Sequence, residues 1–291
     1  MQRLQLLGAS ALCLLATSTA VTQPPIERLA RAIEAAKDGC AMAQSAPVRI
    51  CRYDFTVDGQ AVEALSFQPP GAGPFPAVLM IPGFASTAWH EAGLGVRLGS
   101  AGIAAVAVTQ PGFGRSAGPP DYVGPKTIKV LTAAYRKFQR EPSVDARRMG
   151  IYGFSRGGMA ASLLAVKLDD VKAAVLGAGI YDFKRAYDET TMDGIRGNMR
   201  AEAGMTAEAV RERSSILDME KLACPVLILH GEKDARVPVS QALALRDRLT
   251  ALGKPFEIQL FPGRPHGIGP EVDTLTVDFF RRQLQPARPG T

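Results

Sequence analysis

Five short runs constrain what this chain can fold into: residues 77–81, 103–108, 149–154, 173–176 and 226–229. Each is apolar or β-branched at consecutive positions rather than at alternate ones. A strand built this way must be covered on both faces, as strands of a parallel sheet are. Two further β-rich segments, 49–57 and 61–68, precede them, and Phe256–Phe261 follows. Between the runs lie helical segments. Pro238 opens one, with Ala242, Leu245, Leu249 and Leu252 at three- and four-residue spacing and Gly253 to stop it. Val272, Leu275, Phe279 and Phe280 mark a last helix in the same way. Alternating β and α predicts an α/β fold: a mostly parallel central sheet with helices on both faces. There is no internal repeat and no Pro/Ser-rich linker, so one domain over 48–286 is expected, after an N-terminal extension over 21–47. Residues 181–222 break the alternation. They are rich in Asp, Glu, Arg and Met, and read either as a small helical insertion capping a site or as a long crossover.

The first twenty residues read as a secretory signal peptide. A charged start (Arg3) leads into the apolar run 4–16, and Ser18 and Ala20 supply the small residues of a cleavage site. The run falls short of the roughly 20 apolar residues that a spanning helix needs, so a periplasmic or secreted chain without a stable membrane anchor is expected. In an oxidising compartment Cys40 and Cys51, flanking the Pro47 turn, are placed to form a disulfide. Cys224 reads as a buried free thiol. No group of cysteines and histidines has metal-ligand spacing.

The segment Met149-Gly-Ile-Tyr-Gly153-Phe154-Ser155-Arg156-Gly157-Gly158 is an apolar strand running into G-x-S-x-G and then a helix at 159–167. A serine at so sharp a turn has a strained backbone, and the positions two residues either side must be glycine to avoid collision. Its hydroxyl is then exposed above the sheet at a helix N-terminus, where a developing anion is stabilised. A nucleophilic serine needs a base, and the chain has three histidines. His266, in the loop after Phe256–Phe261, is best placed to swing over the sheet. His230, at a strand end, reads as structural, and His90, beside Trp89, as pocket-lining. The carboxylate that orients the base should follow a strand and precede His266. Asp234 fits, with Glu232 and Asp182 as alternatives.

The order Ser155, Asp234, His266 and the strand–serine–helix unit resemble the α/β-hydrolase superfamily over nearly the whole chain. Arg213-Ser-Ser, Cys224-Pro-Val-Leu-Ile-Leu-His-Gly-Glu-Lys-Asp234-Ala-Arg-Val-Pro238 and Pro262-Gly-Arg-Pro-His266-Gly resemble the catalytic domain of the prolyl-oligopeptidase group. The resemblance implies Ser155 as nucleophile, His266 as base and Asp234 as its partner. It also implies an oxyanion loop at Ile81-Pro-Gly83-Phe84-Ala85, with the backbone N–H groups of Phe84 and Arg156 as donors. Two departures stand out. The residues before the first strand pair are too few for a propeller, whose commonest repeats run about 40–45 residues per blade. The peptidases also place a tyrosine before the oxyanion glycines, where this chain has Ile81-Pro82. Both departures favour a serine hydrolase that cleaves carboxylic esters, with a peptidase acting on short peptides as the alternative and a non-catalytic binding protein as a third reading.

Trp89, His90, Tyr181 and Asp182 are candidate pocket residues, and the Arg156 side chain is placed either to meet an anionic substrate group or to pack on the helix flank. No metal or organic cofactor is implied. The net charge of +6 is small for 291 residues. The densest basic patch (Arg136, Lys137, Arg140, Arg147, Arg148) has no aromatic interleaving, so no nucleic-acid partner is expected. Gln110-Pro-Gly112-Phe113-Gly114-Arg115-Ser116 lacks G-x-G-x-x-G spacing and reads as a scaffold turn rather than a phosphate cradle. The partner expected is a small-molecule ester or a short peptide.

Overall fold

A computed structural model describes residues 25–285; the proposed signal peptide lies outside the described residues. In chain order the strands are β1 (Cys40–Met42), β2 (Arg49–Arg52), β3 (Phe55–Val57), β4 (Gln60–Val62), β5 (Ala64–Gln68), β6 (Phe75–Ile81), β7 (Ala104–Val108), β8 (Val144–Phe154), β9 (Ala173–Gly177), β10 (Val226–Gly231) and β11 (Phe256–Phe261). The helices are α1 (Pro25–Ala35), α2 (Ala92–Ser100), α3 (Pro125–Gln139), α4 (Arg156–Lys167), α5 (Phe183–Glu189), α6 (Asp193–Asn198), α7 (Ala207–Glu212), α8 (Ser240–Ala251) and α9 (Glu271–Leu284). Nine strands form one sheet in the order β1-β2-β5-β7-β6-β8-β9-β10-β11. From β7 to β11 every pairing is parallel, and β1, β2 and β5 add an antiparallel edge.

All five residues of β7 and of β9 and all six of β10 are buried, which is why these strands read as unbroken apolar runs. One face of the sheet is covered by Leu131 of α3, Leu164 of α4 and Leu245 of α8. The other is covered by Ile33 of α1, Leu98 of α2 and Phe279 of α9. This is the α/β-hydrolase arrangement.

The structure differs from the sequence reading in three places. The two expected strands 49–57 and 61–68 each break. Tyr53 N donates to Ala64 O (2.9 Å) and Asp54 Oδ1 accepts from Ala64 N (3.0 Å). The chain then leaves the main sheet as a separate hairpin, β3–β4, turning at Asp58-Gly59 with φ of 50° and 77°. The sheet starts before Val48. β1 pairs with β2 in a register that sets Cys40 opposite Cys51, and the two form a disulfide. Residues 25–42 thus belong to the domain and are not a separate extension. Helix α3, absent from the sequence reading, packs Ile128, Leu131, Tyr135 and Phe138 inward. Its start is fixed by Pro125 and by Asp121 Oδ2, which accepts from Lys126 N at 2.8 Å. In keeping with the reading of the basic patch as a solvated surface, Arg136 pairs with Asp170 and both Arg147 and Arg148 with Asp145.

Residues 181–222 fold as α5, α6, a π-type turn (Met199–Ala203), α7 and a 3₁₀ turn (Ser215–Lys221). Phe183, Met199 and Met219 anchor them in the core. The buried Arg213 side chain fastens them further by donating to the carbonyls of Asp121 (2.7 Å), Ala209 (3.0 Å) and Tyr122 (3.1 Å). Cys224 is buried and free, and burial pushes its thiol up to about 12. Among the described residues no helix is long and apolar enough to cross a membrane.

Candidate active site

Parallel register brings the carboxyl ends of the strands to one edge, with Ile81 opposite Gly153, Phe154 opposite Gly177 and Gly231 opposite Phe261. Loops leaving neighbouring strands there share a crevice, where open α/β sheets place their sites. Ser155 is the residue between β8 and α4, with φ 58° and ψ −122°. This left-handed conformation is costly for a residue with a Cβ, and it is held by Ser155 N donating to Gly177 O at 2.7 Å. The flanking glycines are required by space. A Cβ on Gly153 would collide with the carbonyl of Gly157, and one on Gly157 with the carbonyl of Ile81.

His266 comes from the β11–α9 loop. Its Nε2 lies 2.8 Å from Ser155 Oγ and its Nδ1 2.6 Å from Asp234 Oδ2. Asp234, in the turn after β10, is oriented by its other oxygen, which accepts from Arg236 N (2.8 Å) and Val237 N (2.9 Å). Burial pulls its carboxyl upward, but hydrogen bonds from His230 and His266 overcome this and hold it well below the ordinary carboxylate range. At neutral pH Asp234 is therefore an anion facing His266 Nδ1. The imidazole then carries its proton on Nδ1 and leaves Nε2 free to accept from Ser155.

His230 is fully buried, with Nε2 2.9 Å from Val237 O and 3.4 Å from Asp234 Oδ2. It buttresses the acid and does not reach the serine. Glu232 is exposed, and Asp182 caps α5 by accepting from Arg185 N at 3.1 Å.

The loop after β6 passes directly over the nucleophile, so that a Cβ on Gly83 would meet Ser155 Cβ at 3.4 Å. Buried Gln110 braces the loop by donating to Pro82 O at 2.7 Å. The segment read as a scaffold turn thus positions the loop expected to bind the oxyanion. Arg156, as the first residue of α4, presents an N–H that no intrahelical acceptor can satisfy. Phe84 lines both cavities that meet at Ser155.

The first of these, about 330 Å³, is lined by Tyr122, Ile180, Val237, and Met192, Ile195 and Asn198 of the 181–222 insertion. The insertion therefore walls the site. The second, about 670 Å³, is lined by Gly83, His90, Glu91, Tyr152, His266 and Asp273. Of the four sequence-derived pocket residues, only His90 lines a cavity at Ser155. Trp89 turns away and donates to Glu63 at 3.3 Å. Tyr181 is buried, with its hydroxyl donating to Leu176 O at 3.2 Å. Asp182 is spent on the helix cap. A strand-end position marks a loop near the site, but does not say which way its side chain turns.

Residues 122–286 match the model of the prolyl oligopeptidase family. The chain belongs to this family. Within the family's curated relatives, it is 28% identical over 236 residues to "Uncharacterized peptidase YtmA" of Bacillus subtilis, covering 79% of this chain and 91% of that one. It is 30% identical over 167 residues to dipeptidyl-peptidase 5 of Porphyromonas endodontalis, covering 54% of this chain but only 24% of that one. The fold is shared with a Mycobacterium tuberculosis puromycin-hydrolyzing peptidase (TM-score 0.76, 22% identity, 86% of this chain and 41% of that). It is also shared with an acylaminoacyl peptidase (TM-score 0.72, 20% identity, 83% and 43%). Several family members are thus more than twice the length this chain spans. The chain is a serine hydrolase of the prolyl oligopeptidase family, and the relatives it matches are mostly peptidases, which favours the alternative of peptide cleavage over the ester reading ranked first from the sequence.

Proposed function

We propose that this protein is a serine peptidase that cleaves short peptides through an acyl-enzyme on Ser155. The observation that carries the reading is the continuous relay from Ser155 Oγ through His266 to Asp234, at 2.8 and 2.6 Å. His266 Nε2 takes the Ser155 proton as Oγ bonds to the scissile carbonyl carbon. The resulting oxyanion lies within reach of the Phe84 and Arg156 N–H groups. Collapse breaks the C–N bond as His266 passes its proton to the departing amine. Water, deprotonated by His266, then releases the acyl group and regenerates Ser155. The cavity beside the insertion would take the acyl side and favour a modest apolar side chain, given Ile180, Met192, Ile195 and Val237.

Ester cleavage is the second reading. It is supported by similarity to "Probable carboxylic ester hydrolase LipM" of Mycobacterium tuberculosis (28% identity, 62% of this chain and 46% of that) and by Ile81-Pro82 replacing the oxyanion tyrosine. A panel of dipeptidyl and prolyl anilides set against p-nitrophenyl esters separates the two. Turnover of anilides, abolished by Ser155→Ala, is expected; turnover confined to the esters would contradict the peptidase reading. We further propose export to an oxidising compartment, supported by the N-terminal pattern and the Cys40–Cys51 disulfide.

A further inference from the structure

The larger cavity at Ser155 is built differently from the apolar one. It lies between the 3₁₀ turn Ala88–Glu91, the β8 face that carries Tyr152, and the first turn of α9. Two carboxyl groups face it, Glu91 and Asp273. Glu91 makes no hydrogen bond or ion pair within the described residues, and Asp273 meets only Arg97 Nε, at 3.5 Å. Tyr152, 4% exposed, lines the same cavity, and its hydroxyl has no hydrogen-bond partner among the described residues. Because Tyr152 lines the cavity, its hydroxyl is free to pair with a group bound there.

Their coupling is visible in their acidities. Burial first, and the Asp273 charge second, push Glu91 up to about 7. Burial also raises Asp273 against the pull of Arg97, and raises Tyr152, with the Glu91 and Asp273 charges adding to it. Arg97, on the Asp273 side, is the one cation paired with these groups among the described residues, and Glu91 has none. Of the other charged or titratable groups at this cavity, Arg236 stands at its boundary with the apolar one, His90 Nδ1 is engaged by Thr87 N at 3.0 Å, and His266 belongs to the relay.

Position assigns the role. The departing amine must leave on the imidazole side, where His266 delivers its proton, and His266, Pro265 and Gly267 line this cavity and not the apolar one. We propose that Glu91, Asp273 and Tyr152 form a leaving-group subsite that takes an ammonium or guanidinium group, so that residues with cationic side chains are preferred just beyond the scissile bond. This rests on the peptidase reading for its place in turnover, but not for the binding itself.

The test therefore has two arms. In the first, N-acetyl-lysinamide and N-acetyl-norleucinamide, matched in shape, are titrated calorimetrically into Ser155→Ala, where no turnover occurs. Lysinamide should bind about tenfold tighter. The preference should grow between pH 6 and 8 as Glu91 ionises, and should fall to near unity in Ser155→Ala carrying Glu91→Gln or Asp273→Asn. Equal binding of the two amides, or a preference that survives both substitutions, overturns the subsite whatever the enzyme cleaves. The second arm compares kcat/KM for acetyl-alanyl-lysinamide and acetyl-alanyl-norleucinamide in the wild-type enzyme, where the same preference is expected. Equal turnover overturns the role in selectivity. Cation binding without turnover of either peptide overturns the peptidase reading and leaves the cation site standing.

Discussion

The guanidinium of Arg156, the residue after the nucleophile, is gripped by the carboxylate of Glu202 from the insertion, through bonds of 2.7 and 3.2 Å. Tyr122 and Phe84 cover its faces at 4.1 and 4.4 Å, and Glu202 also accepts from Tyr122 N at 3.1 Å. Arg156 is therefore committed to holding the insertion over the site and is not free for an anionic substrate. Removing Glu202 leaves a buried cation without its anion. Glu202→Ala should cost about 2–4 kcal/mol of stability and raise KM more than it lowers kcat, as the wall of the apolar cavity loosens. Thermal melts and steady-state kinetics check both.

Gly157 tests the turn at the nucleophile. A methyl group there would strike the Ile81 carbonyl, so Gly157→Ala should abolish activity and lower the melting temperature sharply. Gly93→Ala on α2, where nothing lies within 4 Å of the added carbon, should be tolerated in both measurements.

Asp234→Asn keeps an oxygen for the N–H groups of Arg236 and Val237 but can present an N–H to His266 Nδ1. That arrangement favours the wrong tautomer, with Nε2 protonated and unable to accept from Ser155. A fall in kcat of about 10³–10⁴-fold with little change in KM is expected.

Glu91 makes stability depend on pH. Its folded pKa of about 7 lies above the ordinary value of about 4.3. In that interval unfolding releases a proton, so its contribution to stability is lost as pH rises through 7. Glu91→Gln should match the wild type in stability near pH 4.5 and exceed it at pH 8, by on the order of 1–3 kcal/mol, with a higher melting temperature there. Melts across this range decide the point.

The fold was legible where one element's residues carry the whole signal. Strands β7, β9 and β10 announce themselves because both faces are buried, and Gly153-Phe154-Ser155-Arg156-Gly157 because backbone collisions dictate its glycines. Asp234 and His266 were legible from their loops and chain order. What escaped depends on contacts between distant segments. Arg156 finds Glu202 46 residues away, and Gln110 braces Pro82 across two loops. The cavity wall from α6 has no buried residue to set a period. Nothing in the sequence marks Glu91 or Asp273, which the fold brings to one cavity with Tyr152 of β8. Helix α3 was readable, since Gly124-Pro125 starts it and Ile128, Leu131, Tyr135 and Phe138 repeat at helical spacing.

The central claim is that Ser155 is an activated nucleophile. Intact-mass spectrometry after treatment with a fluorophosphonate tests it most directly. One adduct, mapped to the Ser155 peptide, absent in Ser155→Ala and strongly slowed in His266→Ala, is the predicted result. An unlabelled native protein, or an adduct that persists in Ser155→Ala, would contradict the account.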